Sequence, residues 1–202
     1  MALDKFGIKE VADVRFYKTT DVSFTGGKLA VTGEPVLELD SLKVSTIEMT
    51  AEQSEARGGK GNPPLIIWDY GREVNITLED ALMSMKSFEV MYGATEDGAI
   101  VVSADTFPGN YAVIGRTFAR DQASGDDHLF TFFVPNAKIQ SENTITMEAE
   151  GDPTVFNMSL RVLRAKGSSD MMYLIPETQK KYTATDIWAD LDAKEQPTPD
   201  PE

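Results

Sequence analysis

The sequence predicts a mainly β protein: an antiparallel β-sandwich or barrel with one flanking α-helix and a long inter-strand loop. Three observations predict this class. Several short segments alternate apolar and polar residues at the period of half-buried strands. Turn sequences rich in glycine, proline and aspartate separate these segments. Only one segment carries apolar residues at helical spacing. With 202 residues, 41% of them hydrophobic, the chain is long enough to enclose a sizeable core.

The first predicted strands lie near the N-terminus. Residues 14–17 form one candidate strand. Two adjacent glycines, Gly26 and Gly27, predict a tight hairpin turn between residues 22–24 and 29–31. Paired glycines favour such a turn because they accept the positive φ angles that a two-residue hairpin loop requires.

A long connection is predicted between the next two strands. Residues 42–49 and 65–78 are rich in strand-forming residues, and the second segment is expected to bend at Tyr70 and Gly71. The intervening residues 51–64 are polar and rich in glycine. Hairpin loops usually have about two to five residues, so we expect a loop of this length to be either functional or disordered.

One helix is predicted, over residues 84–92. Ser84 is a candidate N-cap, and Met85, Phe88 and Met91 recur at helical spacing, which predicts that these three side chains pack on a sheet. Residues 77–80 match the spacing of a capping box and extend the predicted helix backwards.

The second half predicts a β-meander. Its four strands are residues 111–118, 129–134, 144–150 and 156–162, and a Pro-Asn pair ends the second of them. Residues 151–153 read Gly-Asp-Pro, a turn sequence that joins the last two strands as an antiparallel hairpin.

The composition divides the chain into two parts. Residues 1–182 are expected to form a single β-rich domain. Residues 183–202 form an acidic, proline-containing tail, which from Asp192 onward is too polar and proline-rich to fold alone. Within that tail, Ile187 and Trp188 form a small apolar cluster suited to docking on a neighbouring subunit.

The charge balance excludes several classes of function. Nineteen basic and 33 acidic residues give a net charge of −14, which opposes binding to nucleic acid and to anionic lipid. No apolar run approaches the roughly 18 residues needed to cross a bilayer. The absence of cysteine excludes thiolate chemistry and fits synthesis in a reducing cytoplasm, and a single histidine excludes any site that needs two.

Searches for catalytic and cofactor motifs find none. The glycines around Lys60 suggest a phosphate-binding loop, but Ser54 and Gly61 occupy positions where that motif needs glycine and a hydroxyl residue. Asp126, Asp127 and His128 predict a turn before a strand rather than a metal site. The sequence therefore predicts no enzyme activity, cofactor or metal. Paired carboxylates for glycoside hydrolysis stay open, because spatial pairing is invisible in a sequence.

Residues 58–82 read GGKGNPPLIIWDYGREVNITLEDAL, and this segment resembles virion structural proteins of tailed bacteriophages, in particular tail tube (major tail) proteins. In those proteins a long loop between two strands is followed by a strand and then a helix. The resemblance covers residues 42–93, and the rest of the chain agrees in strand content and size.

The resemblance implies a structural role in the virion tail. Six copies would form a ring, and stacked rings would form a hollow tube through which DNA passes without specific binding. It also implies tape-measure, sheath or baseplate proteins as partners, no membrane, and assembly in the cytoplasm of the bacterial host. A lumen lined with carboxylates would repel phosphate and let DNA slide.

Seven residues besides Trp188 are predicted to make contacts between subunits. Most lie in the predicted loop at residues 51–64, where two basic side chains and several glycines occur in an otherwise acidic chain. The set is Arg57, Gly58, Gly59, Lys60, Gly61, Asn62 and Ile187.

Two alternatives remain open. One is another virion component: a tail terminator, a baseplate protein or a capsid decoration protein. The other is a β-sandwich carbohydrate-binding module, which needs exposed aromatic side chains on one sheet face. Trp68, Tyr70, Phe130 and Phe132 are the candidates, although period-two placement predicts that Phe130 and Phe132 point into the core.

Overall fold

The computed structural model describes residues 5–82, 84–92, 95–96, 99–140 and 156–176. Among these residues strands predominate, they pair antiparallel, and a single helix accompanies them, so the predicted mainly β class is confirmed. The elements are β1 Phe6–Lys18, β2 Val22–Thr25, β3 Lys28–Val31, β4 Leu37–Leu39, β5 Leu42–Arg57, β6 Pro64–Asp80, α1 Met85–Tyr92, β7 Thr95–Glu96, β8 Ala99–Ile100, β9 Asn110–Asp121, β10 Asp127–Ile139, β11 Phe156–Val162 and β12 Tyr173–Pro176.

One eight-stranded antiparallel sheet organises the described part of the chain. Its strand order is β4-β1-β9-β10-β11-β6-β5, and β12 pairs with β10 beside β11. Strand β10 pairs with two strands along the same edge. Its residues Phe130–Phe133 pair with β12, and Ala137–Ile139 pair with β11. The described sheet ends at β4 on one side and at β5 on the other, so it is not closed into a barrel.

The main core lies on the inner face of this sheet. Strand β11 shows why: its side chains alternate between buried and less buried positions, with Phe156, Met158, Leu160 and Val162 inside. Strands from both halves of the sheet add fully buried residues such as Phe16 and Ile76 to the same cluster. The predicted period-two pattern of residues 156–162 is therefore confirmed.

A small hairpin forms a second layer on the opposite face. Strands β2 and β3 pair through Thr25 and Lys28, and Gly26 and Gly27 have φ angles of 62° and 85°. The predicted two-residue turn is confirmed, since only glycine adopts both angles without strain. The Phe24 ring lies 4.3 Å from the ring centroid of Tyr173 on β12, so the hairpin covers the sheet there.

Helix α1 begins where the sequence predicted, and of the three side chains predicted to pack, Met91 is buried and Phe88 half-buried. The backbone N–H of Ser87 donates to Ser84 Oγ at 3.0 Å, which confirms Ser84 as the N-cap. The helix buries Ser87, Val90 and Met91, whereas Met85 is 57% exposed. The prediction for Met85 was wrong, because positions 87, 90 and 91 form the inward stripe and residue 85 lies outside it.

Phe88 is half-buried at the edge of the helix stripe, with its ring centroid 6.1 Å from that of Phe156. The capping box predicted at residues 77–80 was wrong. These residues belong to β6, and Thr77 and Glu79 pair with β5 and β11. Residues 77–80 form a strand because hydrogen bonding to a strand on each side stabilises that structure more than a four-residue capping pattern stabilises a helix.

The predicted meander is partly confirmed. Strands β9 and β10 pair over most of their length, from Asp127 opposite Arg120 to Lys138 opposite Asn110. The Pro-Asn pair does not end β10, because the register shifts between Val134 and Ala137 and the strand continues. A proline in a strand has no N–H to donate, so a bulge accommodates it. The strand predicted at 144–150 and its turn lie outside the described residues.

Candidate assembly surface

Strands β5 and β6 extend beyond the sheet as a two-stranded arm, which we define as residues 51–72. Strand β6 pairs with β11 only from Asn75 to Asp80, so the arm residues pair only with one another. Nearly every residue of the arm is exposed, the exceptions being Ala56 and Gly58, which are half-buried. An isolated two-stranded ribbon is marginally stable in water, so this arm is suited to contact another surface.

The loop predicted at residues 51–64 was wrong in extent. Strand β5 continues to Arg57 and β6 begins at Pro64, which leaves a connection of residues 58–63. Sequence reasoning missed the strand at 51–57 because both faces of the arm are exposed, so its residues show no alternation. Its strand character comes from pairing with the apolar residues of β6.

Glycines shape the turn at the tip of the arm. Gly59 and Gly61 have φ angles of 83° and 88°, and Asn62 has a φ of 53°. These are left-handed conformations that glycine adopts freely and asparagine tolerates. The backbone N–H of Asn62 donates to the Gly59 carbonyl at 3.1 Å, which closes the turn and presents Lys60 at its exposed end.

The tip gathers the predicted contact residues 57–62 in one place. The Arg57 guanidinium pairs with Glu55 of the same strand, with Nη2 2.6 Å from Oε2. Lys60 has no ion pair among the residues that the structure describes and is the cation available at the tip. Ile187 and Trp188, the other two predicted contact residues, lie outside the described residues.

A bulge at the root of the arm sets its direction. Thr50 pairs with Glu73 and Glu52 with Tyr70, so two residues of β6 oppose the single residue Ala51. Gly71, one of the two, has a φ of 60°. Such a bulge bends the strand and increases its twist, so the bend predicted at Tyr70 and Gly71 is confirmed.

The two faces of the arm differ in chemistry. Cross-strand partners share a face, so Glu52 lies beside Tyr70, Ser54 beside Trp68, and Ala56 beside Ile66. We call this the aromatic face and define it by Ala56, Ile66, Trp68 and Tyr70. Ile66, Trp68 and Tyr70 are 53%, 52% and 52% exposed.

The other face of the arm, the polar face, is internally bonded. Gln53 Nε2 donates to Asp69 Oδ1 at 2.8 Å, and the Arg57–Glu55 pair lies further along the same side. By contrast, neither Trp68 nor Tyr70 has a ring contact or side-chain hydrogen bond within the described residues. The two rings of the aromatic face therefore have no partner among the described residues, whereas the polar side chains of the other face bond to one another.

Outside the arm, several of the described acidic residues make structural contacts. Asp127 accepts two hydrogen bonds from Arg120, each 2.7 Å long, and it pairs with Arg120 as the first residue of β10, so the turn predicted at residues 126–128 was wrong for Asp127 and His128. Ser168 and Tyr173 donate to Asp170 Oδ2 at 2.6 and 2.7 Å, and these bonds lower the pKa of the Asp170 carboxyl. Within the described ranges, no three metal-ligating side chains cluster.

None of the described helices is long and apolar enough to span a membrane. Phe130 and Phe132 are 6% and 3% exposed, which confirms that both point into the interior. The aromatic candidates for carbohydrate binding are thus divided between the arm and the core.

Comparison with known proteins identifies the family. The model of the YomU/Tube protein family matches residues 6–95 and 86–174. The chain belongs to this family. It is therefore a structural protein related to tail tubes, and the resemblance to tail tube proteins is confirmed. Members of this kind are structural tube proteins rather than enzymes. None of the curated protein sequences matches the chain.

Two solved structures are among those to which the chain is similar. One is a chain of the PVC sheath–tube complex, an extracellular contractile injection system in the extended state, with 12% identity and a TM-score of 0.48 over 86% of this chain and 95% of that chain. The other is the tube-terminating cap of the anti-feeding prophage, with 12% identity and a TM-score of 0.45 over 87% of this chain and 95% of that chain.

The structure also reveals residues that sequence reasoning assigned differently. Ile66, Trp68 and Tyr70 were read as part of a strand in the body, and the two aromatic residues as candidates for sugar binding. The β5–β6 register shows instead that these three residues lie on the same face of the projecting arm. A signal was present in the sequence, since residues 65–68 form an unbroken apolar run where a half-buried strand would alternate.

Proposed function

We propose that this chain is the subunit of a phage-type tail tube, in which six copies form a ring and stacked rings form a conduit for DNA. The observation that carries the proposal is the arm, a ribbon of about 20 residues with an apolar side that no described part of the chain covers. Family membership supports a tube, and an uncovered arm supports assembly through it.

The open ends of the sheet support a ring. Strand β5 is an edge over all of its length, and β4 covers only Val14, Arg15 and Phe16 of β1. Exposed edges present unpaired backbone groups that invite another strand. Pairing the β5 edge of one subunit with the opposite end of the next would satisfy both edges and close a ring.

The acidity supports a conduit rather than a nucleic-acid-binding protein. With a net charge of −14 per copy, a ring of such subunits repels the phosphate backbone and lets DNA pass without specific contacts. In this role the chain acts without catalysis, within the virion tail, after assembly in the cytoplasm of the host. Its partners are then further copies together with tape-measure, sheath or baseplate proteins.

Electron microscopy of the purified protein tests the proposal. We expect hollow rods with six subunits per turn or ring. Single rings that do not stack would instead indicate a terminator, and monomers at micromolar concentration would count against a tube subunit. Binding to an array of glycans without assembly would favour the carbohydrate-binding alternative.

A variant with a shortened arm tests whether the arm is needed for assembly. Gln53 and Asp69 are direct partners, so replacing residues 54–68 with Asn-Gly joins them through a two-residue hairpin turn and leaves the body unchanged. We expect this variant to fold, as judged by circular dichroism, and to remain monomeric. Rods formed as readily as by the unmodified protein would exclude the arm from assembly.

A further inference from the structure

The root of the arm borders a cleft on the inner side of the sheet. Its volume is about 360 Å³, and its lining includes Met49, Arg72, Met171, Met172 and Leu174. Met49 and Leu174 are 54% and 51% exposed. We call this the methionine cleft. Methionine side chains are flexible and make favourable sulfur contacts with aromatic rings, so such a cleft is suited to accept an aromatic side chain.

A subunit cannot fill its own methionine cleft with its own aromatic face. Met49 pairs with the buried Val74, so both project from the inner face of the sheet. Along β5 the side chains alternate without interruption from Met49 to Ala56, which places Glu52 and its partner Tyr70 on the outer face. The aromatic face and the cleft thus open on opposite sides of the same ribbon.

The charges of the two surfaces are complementary. Glu52 lies on the aromatic face and Arg72 lines the cleft, and neither has an ion pair among the described residues. Asp170, the other charged residue of the cleft, already accepts the hydroxyl groups of Ser168 and Tyr173. Arg72 is therefore the charge in the cleft that lacks a partner.

We propose that the aromatic face of one subunit docks in the methionine cleft of a second copy, with Glu52 of the arm meeting Arg72 of the cleft. This inference rests on the proposed function and names the surface that meets the arm. Each copy has one donor face and one acceptor cleft. A contact between two different surfaces runs head to tail, so it produces a closed ring or an open filament rather than a closed pair.

Engineered cysteines test the contact, because the chain has no cysteine of its own. Trp68→Cys and Leu174→Cys are made in separate chains of different tag length, mixed, and oxidised mildly. We expect a disulfide-linked heterodimer as the main product. The matched control is Ile67→Cys, which has the same 52% exposure as Trp68 but lies on the polar face. It should link to Leu174→Cys about tenfold less, since disulfides form only between closely opposed Cβ atoms.

A charge exchange tests the same contact without cross-linking. Glu52→Arg and Arg72→Glu should each raise the protein concentration needed for assembly, and the double variant should restore it. Trp68→Ala should raise that concentration about thirtyfold, the size of an aromatic hot spot. Circular dichroism and sedimentation at low concentration check that each variant still folds.

Three results would overturn the docking. The first is equal linking by Ile67→Cys and Trp68→Cys, and the second is a dominant homodimer of Trp68→Cys. The third is assembly by Trp68→Ala at the same concentration as the unmodified protein. Each of them leaves the tube function standing if the unmodified chain forms rods. Failure of the unmodified chain to form rods or rings counts against the proposed function itself.

Discussion

At the scale of single residues, the interior depends on close contacts that a sequence does not display. Gly115 lies on β9 opposite Phe132 of β10. A Cβ atom built on Gly115 would lie 2.1 Å from two ring atoms of Phe132, and that ring is 3% exposed. The glycine is therefore required by the ring that covers it rather than by a turn.

We predict that Gly115→Ala lowers the free energy of unfolding by about 3 kcal/mol, because the added methyl group displaces a packed aromatic ring. The matched control is Gly7→Ala in β1, where nothing lies within 4 Å of an added Cβ. That change should be within about 0.5 kcal/mol of neutral. Urea denaturation measures both, and equal stability of the two variants would contradict the packing.

A second prediction concerns Asp170. Hydrogen bonds from Ser168 and Tyr173 lower the pKa of its carboxyl. A lowered pKa means that the carboxylate form stabilises the folded state above the pKa of the unfolded chain, about 3.9, and that this contribution is lost as the pH falls through the folded value. Asp170→Asn should therefore reduce stability at pH 7, and this loss should shrink as the pH falls through the folded value.

Ser168→Ala and Tyr173→Phe give an independent measure of the same bonds. Each removes one hydroxyl donor to Asp170. Titration of the carboxyl by NMR should show a higher pKa in both variants than in the unmodified protein. An unchanged pKa in both would show that other groups stabilise the carboxylate.

At the scale of elements, the N-terminus of α1 is the clearest boundary that follows from local chemistry. Ser84 Oγ accepts the backbone N–H of Ser87 and lies 2.9 Å from the Ser87 hydroxyl. We predict that Ser84→Ala lowers the free energy of unfolding by about 1 kcal/mol. Ser84→Asp should keep most of the stability that the cap contributes, because an aspartate side chain also accepts the hydrogen bond at an N-cap. Chemical denaturation checks both, and equal loss in both variants would assign the effect to another contact.

The elements also show where local patterns mislead. Residues 77–80 resemble a capping box, and residues 51–57 resemble a polar loop, yet both belong to strands. In each case the deciding interaction is with a partner strand that is distant in sequence or arrives across a turn. A window of a few residues contains no information about that partner.

At the scale of the whole molecule, the net charge of −14 opposes the association of identical subunits. We predict that raising the salt concentration from about 20 mM to 500 mM lowers the protein concentration needed for assembly, since screening shortens the repulsion to a few ångströms. One ion pair between Glu52 and Arg72 weakens with salt, but it is outweighed by the overall repulsion. Light scattering across a salt series measures the effect, and assembly that weakens steadily with salt would show that attraction between charges dominates.

The sequence by itself determined the mainly β class, the glycine turn between β2 and β3, the N-cap of α1 and the alternation of β11. Each of these depends on residues that are neighbours in the chain, so a local pattern is sufficient. The predicted contact residues 57–62 lie together at the tip of the arm simply because they are consecutive.

Only the tertiary structure decided the strand order, the inward stripe of α1 and the length of the arm. These features depend on which strands pair and on what each side chain meets across the core. The same is true of the aromatic face, since Ile66, Trp68 and Tyr70 share a side with Ala56 only through the β5–β6 register. Pairing register and solvent exposure are properties of the folded chain, and that is the physical reason why the arm appeared in the sequence as a loop.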